Sequence, residues 1–255
     1  MDLALTERTA LITAGSKGLG YGIADALAAE GANVILSART ESTLNEAAKR
    51  LRDAHGAHVA VIPADVSKAD DCERLAAEAI SVSPTGRIDI LITNTGGPAP
   101  GTFEQCDDEQ WTAAFHSTLM NIVRLVRQLA PAMCEHGWGR IINVASVSAR
   151  QPITGLTMSN TFRPGIVGLA KDLSDAYAPR GVTVNTLCPG MHRTDRLAHL
   201  AEARGASDVE TFFDELGASI PVGRIGDPLE FGRVAAFLCS PWAGFITGQA
   251  IAVDG

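Results

Sequence analysis

A regular alternation of short β-branched runs with longer amphipathic stretches is the feature that most constrains the fold of this chain. In the longer stretches the apolar residues recur at i, i+3 and i+4, which is the spacing of one helix face. The short runs have the length and the β-branched content of buried strands. The pattern predicts strands over residues 9–13, 33–37, 58–62, 88–92, 140–144, 182–187 and 250–253, and helices over residues 18–30, 41–55, 69–82, 108–136, 156–178 and 228–238.

This alternation predicts a Rossmann-type, doubly wound α/β fold. Each βαβ unit crosses over with a right hand, so the strands lie parallel in one sheet and the helices cover both of its faces. A length of 255 residues fits one such core, and no linker, repeat or low-complexity tract marks a boundary. We therefore expect a single domain over residues 1–255 with a seven-stranded parallel sheet, whose ligands bind at the carboxyl ends of the strands.

The charge, the apolar runs and the cysteines limit the classes of partner. The net charge is −8 and the basic residues are spread along the chain, which argues against a nucleic-acid or anionic-membrane surface. No apolar run has the length of a membrane span, and the N-terminus does not resemble a signal peptide. The five cysteines are scattered, so the sequence predicts no disulfide and no metal site. We expect a cytoplasmic protein with a small-molecule substrate.

The glycine-rich turn after the first predicted strand is the strongest binding signal. Between a strand and a helix, such a turn presents bare backbone N–H groups and a helix N-terminus, which suit the pyrophosphate of a dinucleotide. A tight turn without a ligand is the alternative interpretation. The residues of this turn that are expected to bind the cofactor are Thr13, Gly15, Ser16, Lys17, Gly18, Leu19 and Gly20.

The end of the second predicted strand favours NADP(H) over NAD(H). The chain has Arg39 there, and no Asp or Glu accepts hydrogen bonds from the ribose 2′-OH that distinguishes NAD. Arg39 and Lys17 are two cations within reach of a 2′-phosphate. The alternative is that both are ordinary solvated charges.

Further motifs follow the other predicted strands, and together they carry a resemblance. With these motifs the chain resembles the short-chain dehydrogenase/reductase family, especially its 3-oxoacyl-(acyl carrier protein) reductase-like branch. The resemblance implies a homodimer or homotetramer. The motifs are the turn over residues 13–20, Asp65-Val66, Asn94-Thr95-Gly96-Gly97, Ser146, Pro189-Gly190 with Thr194, and the C-terminal segments 246–249 and 253–255.

The resemblance also implies roles for these residues. Asp65 and Val66 hold the adenine, and Asn94 and Gly96 flank the adenosine ribose. The segment after the sixth strand borders the nicotinamide with Pro189, Gly190 and Thr194.

The catalytic motif departs from the family pattern. The family uses a Ser, which is Ser146 here, and a Tyr-x-x-x-Lys pair, which is replaced by Ser159-x-x-x-Arg163. The position of a further family Asn is occupied by Thr118. A serine hydroxyl is much less acidic than a phenol, and Arg163 stays protonated, although it can hold a ribose.

Two other departures bear on local structure. Pro164-Gly165 follows Arg163 directly, so we expect a kink or a later helix start there. Ala14 stands at the first glycine position of the family turn, which predicts a slightly reshaped pyrophosphate loop.

Two functional hypotheses follow. The first is an atypical NADP(H)-dependent oxidoreductase acting on a carbonyl or alcohol, such as a 3-oxoacyl or similar ketone. Its catalytic residues are Ser146, Ser159 and Arg163, and its proton comes from water or another acid. His192 is a candidate for that acid, and the alternative interpretation is a solvent-facing loop histidine. The alternative is a redox-silent member of the fold, either a lyase, an isomerase or a cofactor-binding regulator. In both, residues 194–217 form a mobile substrate flap.

Overall fold

The computed structural model describes residues 1–195, 197–198, 201 and 208–255. Its centre is one parallel sheet with the strand order β3-β2-β1-β4-β5-β6-β7, which confirms the predicted seven-stranded doubly wound fold. The order reverses between β1 and β4, so the carboxyl ends of these neighbouring strands border a crevice. The strands are β1 (Thr9–Thr13), β2 (Asn33–Ala38), β3 (Val59–Pro63), β4 (Ile90–Thr93), β5 (Gly139–Val144), β6 (Val182–Pro189) and β7 (Ala250–Val253).

Helices cover both faces of the sheet in two separate apolar layers. One layer packs α1, α2 and α8 on the sheet, and the other packs α3, α5 and α6. Acidic caps help to start several helices, as where the Asp227 side chain accepts a hydrogen bond at the beginning of α8. The helices are α1 (Gly18–Ala29), α2 (Glu41–His55), α3 (Ala69–Val82), α4 (Asp108–Phe115), α5 (Asn121–Glu135), α6 (Thr157–Tyr177), α7 (Val209–Ala218) and α8 (Pro228–Cys239).

Two predictions about helices differ from the structure or are only partly tested by it. The single helix predicted over residues 108–136 is divided, because a π-helical turn over His116–Met120 separates α4 from α5. Of the kink or later helix start predicted at Pro164, the later start is not found, since α6 begins at Thr157 and continues through the proline. The ring nitrogen of Pro164 has no hydrogen to donate to the carbonyl of Asn160, so α6 lacks one internal hydrogen bond.

The predicted flap over residues 194–217 is described only in part. Residues 196, 199–200 and 202–207 lie outside the described residues. The end of the segment belongs to α7, where Phe213 is buried against Leu197 and Ile225.

All five cysteines are free, and burial raises the pKa of the Cys239 thiol to about 12. Within the described residues, every helix is too short or too polar to cross a membrane.

Candidate active site

Hydrogen bonds join the loops after β1 and β4 at the crevice. The Thr13 hydroxyl donates to the carbonyl of Asn94 and accepts from the backbone N–H of Asn94, each at 2.8 Å. Both residues are buried. Thr13 and Asn94 therefore hold the two loops together, in addition to any contact with a ligand.

The glycine turn has the backbone conformation that its sequence demands. Ala14 adopts a left-handed conformation with a φ of 47°, at a cost of about 1–2 kcal/mol relative to glycine. Gly15 donates to the carbonyl of Ser37 at 3.1 Å, and half-buried Ser16 follows it. A Cβ on Gly20 would lie only 2.2 Å from the carbonyl oxygen of Ala14. The turn thus needs glycine for its own packing.

The glycine turn also lies against the segment after β6. A Cβ on Gly18 would lie 3.3 Å from Cγ2 of Thr194, and Nζ of Lys17 lies 3.3 Å from Oδ2 of Asp195. Gly18 opens α1, and its φ of 53° is left-handed. These contacts bring the residues predicted for the pyrophosphate next to those predicted for the nicotinamide.

The remaining residues predicted near the nicotinamide and the pyrophosphate lie at the same edge of the sheet. Pro189 ends β6, and the next residue, Gly190, donates to the carbonyl of Val253 at 3.0 Å. A Cβ on Gly190 would lie 2.6 Å from Cβ of Asp254, so this position needs glycine. Leu19, in contrast, packs against the apolar core below the turn.

A cavity lined by both basic and acidic side chains opens beside the glycine turn. It has a volume of about 550 Å³, and Lys17 is part of its lining. The guanidinium of Arg50 lies 4.2 Å from the ring centroid of Tyr21 in the same cavity, a cation that sequence reasoning missed because it comes from the middle of α2. Arg39 is exposed just after β2 and does not belong to this lining.

The residues predicted for the adenosine lie after β3 and β4. Oδ1 of Asp65 accepts from the backbone N–H and the hydroxyl of Ser67, at 3.1 and 2.8 Å, and thereby shapes the turn that holds half-buried Val66. A hydrogen bond from the N–H of Asp65, followed by one from Arg74, lowers the pKa of the Asp71 carboxyl. A Cβ on Gly96 would meet no atom within 4 Å, so Gly96 borders open space.

Three serines form a hydrogen-bonded cluster at the carboxyl end of β5. Oγ of Ser146 accepts a hydrogen bond from the backbone N–H of Ser148 at 3.1 Å. The Ser148 hydroxyl lies 2.9 Å from the hydroxyl of Ser159, which comes from the first turn of α6. Sequence reasoning missed Ser148, and the only signal for it was the Ser-x-Ser spacing that favours such a turn.

Arg163 lies one turn after Ser159 and is bound to the sheet. Its Nη1 donates to the carbonyl of Val144 at 2.6 Å, and only 7% of the residue is exposed. On the neighbouring π-helical turn, the buried hydroxyl of Thr118 has no hydrogen-bond partner among the residues that the structure describes. The positions predicted for catalysis thus meet around the end of β5.

His192 is not the solvent-facing residue that the sequence suggested. It is 6% exposed, its ring packs edge-on against Phe231 at 5.4 Å, and Nδ1 lies 3.3 Å from the carbonyl of Gly190. The pKa of His192 lies below its ordinary value of 6.5, mainly because the ring is buried. Burial therefore favours the neutral imidazole, which is a poor source of protons.

Comparisons with known proteins agree on one family. A family model described as Enoyl-(Acyl carrier protein) reductase matches residues 13–255. Acetoacetyl-CoA reductase of Shinella zoogloeoides is 32% identical over 98% of this chain and 98% of its own. Dehydrogenase/reductase SDR family member 4 of Homo sapiens is 31% identical over 98% of this chain and 87% of its own. L-Sorbose reductase from Gluconobacter frateurii, solved with NADPH and L-sorbose, has a TM-score of 0.93 at 30% identity, covering 100% of this chain and 98% of that one.

Proposed function

Because the chain belongs to the short-chain dehydrogenase/reductase family, we propose that it is an NADP(H)-dependent oxidoreductase acting on a carbonyl or alcohol. One observation carries the proposal: the glycine turn and the segment after β6 meet at Gly18 and Thr194. We place the cofactor in a cleft beside this contact, where bare backbone, a helix N-terminus and the cation of Lys17 face it.

The residues around the cleft fit NADP(H). Gly96 borders open space where a ribose would need room, and Lys17 and Arg39 supply positive charge for a 2′-phosphate. The structural relative L-sorbose reductase binds NADPH. When bound, NADPH supplies the hydride. The proposed cofactor-binding residues are Thr13, Gly15, Ser16, Lys17, Gly18, Leu19, Gly20, Arg39, Asp65, Val66, Asn94, Gly96, Arg163, Pro189, Gly190 and Thr194.

The chemistry of this chain's own residues is polarisation rather than acid catalysis. The hydroxyls of Ser146 and Ser159 donate hydrogen bonds to the substrate carbonyl oxygen, and the charge of Arg163 stabilises negative charge nearby. The oxygen then takes its proton from water, because a serine is too weak an acid to replace the family tyrosine. A missing general acid costs about 10²- to 10⁴-fold in rate, which leaves a slow but real reductase.

A redox-silent function is the second candidate. Arg163 is buried and bound to Val144, so its cation cannot relay a proton as a lysine does. A lyase, an isomerase or a cofactor-binding regulator would need only the cleft and the polarising hydroxyls.

The finer features of the protein belong to the same proposal. We propose a cytoplasmic homodimer or homotetramer that reduces a 3-oxoacyl or similar ketone.

Titration and turnover together test the proposed function. The protein is titrated with NADPH and with NADH by nicotinamide fluorescence, then assayed with ketones and 3-oxoacyl thioesters. NADPH binding with turnover, lost in Ser146→Ala, supports the reductase. Tight binding without turnover favours the redox-silent candidate, and binding of neither nucleotide contradicts both.

A further inference from the structure

We infer that Ser148 is a positioning residue of the active site, which sets the direction of both polarising hydroxyls. The inference rests on the proposed reductase function. Ser148 bonds to both candidate catalytic serines at once, through its backbone N–H to Ser146 and through its side chain to Ser159.

The first contact orients Ser146. Its Oγ accepts the N–H of Ser148 at 3.1 Å, and a serine hydroxyl has one hydrogen to donate. With that acceptor site occupied, the hydrogen of the Ser146 hydroxyl is available to a second oxygen. Ser146 is half-buried, so one side of it remains open to the cleft.

The second contact orients Ser159. Ser148 is only 2% exposed, and its hydroxyl lies 2.9 Å from that of Ser159. Either hydroxyl could donate across this contact, and a buried hydrogen left unpaired would carry a desolvation cost. We assign the donor role to Ser148, because Ser159 is the more exposed of the two and can donate to a substrate oxygen instead. The hydrogen of Ser159, which is 8% exposed, then points away from Ser148.

Both serines consequently become donors, and an oxygen with growing negative charge is the ligand that two convergent donors suit. Such preorganised donors stabilise an alkoxide-like oxygen, and the loss of one typically costs about 10²- to 10³-fold in kcat. The site thus selects a substrate whose carbonyl oxygen can accept two hydrogen bonds. Without Ser148, Ser159 is free to turn its hydrogen inwards.

Substitutions at two serines test the inference. Ser148→Ala removes the hydroxyl but keeps the N–H to Ser146, and Ser148→Thr keeps both groups. Ser174→Ala is the matched control, because Ser174 is a buried serine at the other end of α6 with a local bond to Lys171. We expect kcat to fall at least about 10-fold in Ser148→Ala, with NADPH affinity unchanged, and to recover in Ser148→Thr.

A double variant distinguishes an effect of Ser148 on the position of Ser159 from a general effect of Ser148 on protein stability. If Ser148 acts through Ser159, the variant Ser148→Ala/Ser159→Ala loses no more rate than Ser159→Ala alone. Full kcat in Ser148→Ala, or losses that multiply in the double variant, would overturn the inference. If the parent protein shows no turnover with any of the ketones, that result contradicts the proposed function and not the inference about Ser148.

A readout without turnover uses the oxidised cofactor. In the complex with NADP⁺ and a carbonyl-labelled acetoacetyl thioester, two donors lower the infrared frequency of the bound carbonyl. The frequency should rise in Ser148→Ala and stay unchanged in Ser174→Ala. An identical band in all three proteins contradicts the inference even if the protein is catalytically silent.

Discussion

Nη1 of Arg163 donates a hydrogen bond to the carbonyl oxygen of Val144 at 2.6 Å, which ties the second turn of α6 to the last residue of β5. The bond fixes a positive charge beside the serine cluster and holds Ser159 opposite Ser148. It also occupies part of the guanidinium that a bound ribose would otherwise contact. At this part of the site Arg163 is bound to the sheet, and the chain lacks the Tyr-x-x-x-Lys pair of the family pattern.

Restoring the family pair should raise the reductase rate. In Ser159→Tyr/Arg163→Lys a phenol becomes the proton donor, and a nearby ammonium lowers its pKa towards neutrality. We expect ketone reduction about 10²-fold faster than in the parent, measured as NADPH oxidation under saturating cofactor.

The matched control for this variant is Ser159→Phe/Arg163→Lys, which has the ring without the hydroxyl and should show no gain. Thermal unfolding checks that both variants fold. A folded Tyr/Lys variant that binds NADPH but is no faster than the parent would show that positions 159 and 163 do not have the proposed roles.

Removing Asp195 should strengthen NADPH binding. Its carboxylate lies 3.3 Å from Nζ of Lys17 and competes with a 2′-phosphate for that cation. Both side chains are exposed, so the pair contributes only about 0.2–1 kcal/mol, which corresponds to an improvement of at most about 5-fold. Asp195→Asn should therefore lower the Kd for NADPH and leave the Kd for NADH unchanged.

Lys17→Ala is the opposing control for this pair. It should weaken NADPH binding selectively, and the difference from the parent should shrink at high salt, because salt screens exposed charges. If these substitutions change the Kd values for NADPH and NADH equally, the 2′-phosphate does not bind at Lys17.

The glycine turn should respond to side chains at Ala14 in a graded way. Ala14→Gly relieves a left-handed backbone, although the gain of about 1–2 kcal/mol is partly offset by the greater entropy of the unfolded chain. Ala14→Val places a β-branched side chain at the same φ and should destabilise the protein. Urea unfolding should rank the three proteins Gly, Ala, Val, and a valine variant as stable as the parent would argue against a strained turn.

The sequence predicted the strands and helices of this protein better than the contacts in its candidate active site. All seven strands lie within about two residues of their predicted bounds, because buried runs and amphipathic periodicity are local signals. The π-helical turn over His116–Met120 was missed, since the apolar pattern continues through it without a break. Neither the bond from Arg163 to Val144 nor the burial of His192 has a local signal, because both depend on how distant elements pack.

His192 should make the stability of the protein depend on pH. Burial lowers its pKa in the folded state, so below about pH 6.5 the unfolded chain binds a proton that the folded chain does not. The free energy of unfolding should hence be insensitive to His192 above that pH and fall below it, by at most about 1.4 kcal/mol per pH unit. Urea unfolding at pH 7.5 and 5.5 measures the fall, and His192→Gln should reduce it. An equal fall in both proteins would assign it to other groups.

The absence of a phenol at position 159 should make the enzyme favour electron-poor carbonyls. If the substrate oxygen takes its proton from water, its negative charge persists longer, and substituents that withdraw electrons stabilise it. Across a series of para-substituted aryl ketones, kcat/KM should rise steeply as the product alcohol becomes more acidic. The Ser159→Tyr/Arg163→Lys variant, which supplies its own proton donor, should show a flatter dependence. Equal slopes in the two proteins would mean that the parent already holds an efficient acid, and the water-derived proton would have to be abandoned.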